Sequence, residues 1–131
     1  MMASADDPGD LAFAVSPPGA DAAVETRTTA DGSVVCALTG DLDIETLAPV
    51  ADALTALVAR RPPVIVVDLR QVGFCDSSGL NLLLRVRMEA GRAGLELRLA
   101  AVAPTVMRVL ELTGARTVFS LHESVESALA C

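Results

Sequence analysis

The stretch Val64-Ile-Val-Val-Asp-Leu-Arg-Gln-Val-Gly-Phe-Cys-Asp-Ser-Ser-Gly-Leu80 decides how this chain folds. Val64 to Asp68 is a short β-branched run, the pattern of a strand buried on both faces. From about Ser78 to Arg92 the sequence is rich in leucine and predicts a helix. The connection from Val72 to Leu80 holds an acid, two hydroxyls and glycine, residue types that cap a helix start or receive a phosphate there. A polar tip between two core elements is where a mainly structural chain would keep a function.

Upstream, Val24, Thr26 and Thr28 alternate with Glu25, Arg27 and Thr29, a period of two that predicts a half-exposed strand. Asp31-Gly32 is a hairpin signal, and the returning strand, Ser33 to Thr39, is more apolar and so more buried. Gly40-Asp-Leu-Asp43 then leaves as an acidic loop. A first helix is expected to open at Thr46 as N-cap, with Pro49 in its first turn, where a missing N–H costs nothing. Leu47, Val50, Ala51, Leu54, Leu57 and Val58 fall on one helical face, and Pro62-Pro63 stop the helix after Arg60 and Arg61.

In the helix after the central stretch, Leu80, Leu83, Leu84 and Met88 form one stripe and Leu82 and Val86 lie on another flank. That second flank is either core or partner surface; the sequence leaves both open. Leu95, Leu97 and Leu99 alternate with Glu96 and Arg98, predicting a strand with one wet face. Pro104 to Thr113 reads as a helix stopped by Gly114. Thr117-Val-Phe119 reads as a last strand, and Ser120 with Glu123 as the capping box of a short helix through Val125 and Leu129.

After the first hairpin, strands and helices alternate, which implies parallel neighbours with right-handed crossovers. The expected fold is a single α/β domain over residues 22–131, with a mixed, mostly parallel sheet of four to five strands packed with about four helices. Residues 1–21, rich in Ala, Asp, Pro and Gly, are expected to form a flexible acidic tail. Within them Leu11-Ala-Phe-Ala-Val15 is an apolar island placed to add an edge strand.

Composition removes whole classes of function. The 131 residues carry a formal charge of −7, which disfavours nucleic acid and anionic membrane surfaces. There is no Lys, so Schiff-base chemistry and a phosphate-loop lysine are absent. Three scattered cysteines, Cys36, Cys75 and Cys131, have no metal-ligand spacing and read as reduced thiols of a cytoplasmic protein. No run approaches the length of a membrane span. The one histidine, His122, lies near an expected helix start. Ser77 lacks a Gly-x-Ser-x-Gly elbow, and Asp76 beside Cys75 raises the thiol pKa. Asp41 and Asp43 fit a turn better than a metal site. No cofactor and no catalytic set emerge.

That leaves Asp76-Ser-Ser-Gly79, with two readings. In one, Ser77 or Asp76 is an N-cap and Gly79 permits close packing. In the other, a hydroxyl at an exposed helix start is a phosphorylation switch, its phosphate met by the positive end of the helix dipole.

Three blocks in order, Leu38-Thr-Gly-Asp-Leu-Asp43, Val67 to Leu80 and Pro104 to Gly114, resemble a STAS domain of the anti-sigma factor antagonist type. The resemblance covers about residues 22–129. It implies a partner switch in which the unphosphorylated protein binds an anti-sigma factor, a serine kinase of the histidine-kinase-like ATPase fold, and so releases a sigma factor. It maps the phosphoacceptor onto Ser77, with Ser78 the alternative, and makes Asp76, Ser77, Ser78 and Gly79 the switch loop. It implies partner contacts at Asp41, Asp43, Leu80, Asn81 and Leu84, and a metal-dependent serine phosphatase that resets the cycle. A free monomer is expected. Cys75 and Asn81 depart from residues common in such proteins, and the acidic tail is longer than usual. The alternative within the fold is a scaffold subunit of a stress complex, or a partner of a transporter ATPase; an intact Asp-Ser-Ser-Gly favours the switch.

Overall fold

A computed structural model describes residues 22–131. The tail expected over residues 1–21, with its edge strand at Leu11–Val15, lies outside the described residues. One sheet contains β1 (Ala23–Thr28), β2 (Val34–Leu42), β3 (Val64–Cys75), β4 (Glu96–Ala100) and β5 (Ser120–His122), in that spatial order. The helices are α1 (Ala48–Ala59), α2 (Ser77–Arg92), α3 (Pro104–Thr113) and α4 (Val125–Ala130). The β1–β2 pair is antiparallel and the other pairs are parallel, the mixed α/β sheet that the alternation of elements implied. The hairpin closes at Gly32, whose φ of +90° suits a residue without a Cβ, with Thr29 N donating to the Ser33 carbonyl at 2.8 Å.

Side-chain alternation along the strands sorts the core into two layers. Val34, Cys36, Leu38, Ile65, Val67, Leu97 and Leu99 point to the face that also buries α1, α2 and α3 through Leu54, Leu83 and Leu110. Val35, Val66 and Ala100 point the other way, against Ala128 of α4. β3 is therefore buried on both faces at Ile65, Val66 and Val67, as its β-branched run requires. Arg98 corrects the expectation of a wet face on β4. Its guanidinium is covered by α4, donates to the Ala128 carbonyl at 2.6 Å and pairs with Glu96.

Several boundaries moved. β2 continues through Gly40, Asp41 and Leu42, which were expected as a loop, and β3 continues to Cys75 rather than ending at Asp68. The two extensions pair with each other, Gly40 with Val72 and Leu42 with Cys75, across register shifts that each add a residue to β3. Thr46 does not cap α1. Leu47 occupies that position without a side-chain bond, while the buried Thr46 hydroxyl donates to the Asp41 carbonyl at 2.6 Å and closes the β2–α1 turn. Pro49 does lie in the first turn. Thr117 belongs to a 3₁₀ turn, Ala115–Thr117, and Phe119 plugs the core, so the last strand begins only at Ser120. The capping box of α4 joins Ser124 and Ser127, not Ser120 and Glu123.

In α2 both flanks of the sequence pattern are resolved. Leu82 and Val86 are buried with Leu80, Leu83 and Ala90, whereas Leu84 is half-buried and Met88 exposed. The first turn of α2 lies so close to the end of β2 that a Cβ on Gly79 would stand 2.6 Å from the Leu42 carbonyl oxygen and 2.9 Å from Cys75 Sγ. A Cβ on Gly91, in the last turn of α2, would meet nothing within 4 Å. Gly79→Ala should lower the urea unfolding free energy by about 1–3 kcal/mol, because overpacking outweighs the gain in helix propensity. Gly91→Ala should raise it by roughly 0.5–1 kcal/mol. Equal effects of the two would refute the close approach.

Candidate functional site

Only Asp76 separates β3 from α2, so the helix begins directly on the sheet's rim. Asp76 has extended backbone angles, and its Oδ1 accepts from the N–H groups of Ser78 at 2.8 Å and Gly79 at 3.1 Å. Its own N–H donates to the Leu42 carbonyl at 3.1 Å, tying the cap to the end of β2. The cap is thus Asp76 and not Ser77. Ser77 is the first residue of the helix; it is exposed, and among the described residues its hydroxyl makes no hydrogen bond. Ser78 is half-buried beside it.

The residues named from the sequence divide into three groups. Asp41 lies in β2 opposite Phe74, its carboxylate next to Gly73. Asp43 is half-buried, and its Oδ1 accepts from the N–H groups of Glu45 at 3.0 Å and Thr46 at 3.1 Å, a turn-forming role. Asn81 is exposed and Leu84 half-exposed on the outer side of α2, where both line a groove shared with α1. Leu80 differs from that expectation: at 6% exposure it belongs to the core and offers almost no surface.

Two residues at this end of the molecule escaped sequence reading. Ile44 is 77% exposed at the crest of the β2–α1 turn, and Phe74 is 50% exposed on β3. The available signal was an isoleucine between Asp43 and Glu45, an apolar side chain in an acidic turn with no helical or strand period to bury it. Among the described residues no group of three or more His, Cys, Asp or Glu side chains is placed to hold a metal. No helix among them is long and apolar enough to cross a membrane.

Cys75 packs under the cap. Burial first, and the negative charge of Asp76 second, push its thiol up to about 11. Burial alone pushes the Cys36 thiol up to about 12. Both are protonated near neutrality, which removes the thiolate a nucleophile needs.

A helix start capped by Asp76 with an exposed serine beside it, on a β-β-α-β-α-β-α-β-α scaffold, is the architecture of a STAS domain. The family described as "Mlab, STAS domain" matches residues 25–123, and the chain belongs to it. Among its relatives is the anti-sigma-F factor antagonist RsfB of Mycobacterium tuberculosis, 30% identical over 106 residues, which span 79% of this chain and 86% of RsfB. The anti-sigma-B factor antagonist of Staphylococcus aureus is 28% identical over 103 residues, 79% of this chain and 94% of that one. The crystal structure of an anti-sigma factor antagonist from Mycobacterium paratuberculosis superimposes with a TM-score of 0.79 at 29% identity, covering 88% of this chain and 97% of the other.

Two measurements check this geometry. Asp76→Ala should cost about 0.5–2 kcal/mol in urea unfolding, whereas Ser77→Ala should change stability by less than about 0.5 kcal/mol; a larger loss at Ser77 would move the cap there. At pH 8 an aromatic disulfide reagent should titrate only the exposed Cys131 in the folded chain, and all of Cys36, Cys75 and Cys131 after denaturation. Because the folded thiol pKa values are raised, this stabilisation is full below the unfolded value near 9 and is lost as pH rises through about 11 to 12.

Proposed function

We propose that this chain is an anti-sigma factor antagonist acting by partner switching, with Ser77 as the switch. Unphosphorylated, the tip formed by Ser77, Asn81, Leu84 and the Asp41–Asp43 turn binds an anti-sigma factor that is itself a serine kinase of the histidine-kinase-like ATPase fold, and a sigma factor is released. The kinase transfers the γ-phosphoryl group of ATP to Ser77 Oγ: the new O–P bond forms as the bond to ADP breaks, and the hydroxyl proton leaves to a base on the kinase. A metal-dependent serine phosphatase hydrolyses the phosphoserine and resets the cycle.

The observation that carries this reading is the division between Asp76 and Ser77. Asp76 supplies the helix cap, and the Ser77 hydroxyl is exposed and, among the described residues, has no hydrogen bond to break on modification. A phosphate there adds roughly −1.5 to −2 charges while remaining at a helix N-terminus that tolerates anions. Folding is therefore little affected. Association is affected strongly, because a docked partner would desolvate that charge beside Asp76, and every 1.4 kcal/mol lost is tenfold in affinity. Ser78 is the poorer acceptor: it is half-buried, and its N–H is committed to the cap. The relatives named as antagonists support the partner class.

Incubation of the full chain with such a kinase and ATP should add one phosphate, and peptide mapping should place it on Ser77. In calorimetry Ser77→Ala should bind the kinase within a few-fold of the unmodified chain, while the phosphorylated chain and Ser77→Asp should bind on the order of 100-fold more weakly. Phosphate on Ser78, or affinities that do not separate, would overturn the switch.

A further inference from the structure

Among the described residues no strand lies against the outer edge of β1, while β2, β3 and β4 are each paired on both sides. β5, the other edge, is three residues long. β1 is six residues long and contains no proline or glycine, and its register with β2 is unbroken from Ala23 to Thr28. Proline, bulges and shortness are devices that keep a sheet edge from pairing, and β1 has none of them. We propose that β1 is a self-association surface, along which two copies of this chain pair antiparallel about a two-fold axis through Thr26.

Backbone direction sets the axis. Antiparallel pairs alternate between residues that exchange hydrogen bonds and residues that do not. Thr29 N donates to the Ser33 carbonyl at 2.8 Å, and the register carries the alternation from that bonded pair along the strand. Arg27, Glu25 and Ala23 therefore turn their N–H and C=O groups to β2. Thr28, Thr26 and Val24 turn theirs outward, where a second strand would take them. An axis at Thr26 sets Thr26 opposite its own copy and Val24 opposite Thr28 of the second copy. All three outward residues then fall in bonded pairs.

Charge selects the occupant. The same register sets Glu25 opposite Arg27 of the second copy, and Arg27 opposite its Glu25, in the non-bonded pairs where side chains lie closest. Both side chains stand on the α4 side of the sheet, since they pair in β2 with Ala37 and Val35, and Val35 packs in the layer that α4 covers. Both are exposed, and neither makes an ion pair among the described residues. The strip is complementary to itself when reversed; the same strand run parallel would set like charges together. α2 packs on β3 and β4, inward of this edge, so the pairing does not use Ser77, Asn81 or Leu84. The free chain is then in equilibrium with a dimer that carries two Ser77 tips, where a monomer alone was expected. This pairing does not depend on how Ser77 is used.

Sedimentation equilibrium of the full chain from about 10 μM to 1 mM should show a monomer–dimer equilibrium, the range suited to a contact below the usual interface size. Glu25→Arg places arginine opposite arginine in both pairs, and Arg27→Glu places glutamate opposite glutamate, so each should weaken self-association roughly tenfold. An equimolar mixture of the two variants should restore it, because each strand is then complementary to the other. Both changes combined in one chain should restore it as well. Thr26→Pro removes an outward N–H and no β1–β2 bond, and should leave a monomer whose thermal unfolding matches that of the parent chain. A monomer at every concentration, as an edge closed within one chain would give, would overturn the pairing. So would dimerisation indifferent to both charge reversals, and so would single variants that do not recover when mixed.

Discussion

The contact on which this structure most depends is the approach of the first turn of α2 to the Leu42 carbonyl. A side chain at Gly79 would lie 2.6 Å from that oxygen, so only glycine allows the helix to start where it does. The Asp76 N–H bonds the same carbonyl, and the Asp76 carboxylate turns back to cap the helix. Three short-range facts therefore fix one orientation. Leu80, Leu83 and Val86 face the sheet, Leu84 is half-buried at the edge of the core, Asn81 faces outward, and Ser77 stands at the rim.

This arrangement separates two tasks that a helix start can combine. A capping hydroxyl is a poor site for reversible modification, because phosphorylation would exchange a hydrogen bond worth up to about 2 kcal/mol for a new geometry. With the cap assigned to a carboxylate that is not itself modified, the neighbouring serine is released from structural duty. Phosphorylation at such a site, as proposed for Ser77, would act on association and spare folding, which suits a domain of marginal stability.

The surface around the tip adds a second level. Apolar Ile44 and Met88 and polar Ser78 and Asn81 share one groove, so whatever occupies it also controls access to the helix start.

Local chemistry determined much of this protein. The β-branched run at Val64–Val67, the Asp31-Gly32 turn, Pro49, the Pro104–Gly114 helix and the alternation of elements each reflect forces acting within a few residues, and each is present in the fold. Asp76-Ser-Ser-Gly79 was likewise legible as a helix start. Tertiary structure decided what depends on distant partners. β3 buries Leu69, Val72 and Cys75 at every third position, because two register shifts against β2 each insert a residue, and that period reads as neither strand nor helix. Arg98 is buried because α4, thirty residues later in the chain, accepts its hydrogen bond through a carbonyl that no pattern marks. The choice between Asp76 and Ser77 as cap had the same origin. Both side chains can cap a helix, and the bond from Asp76 to Leu42, across the sheet, selected the aspartate.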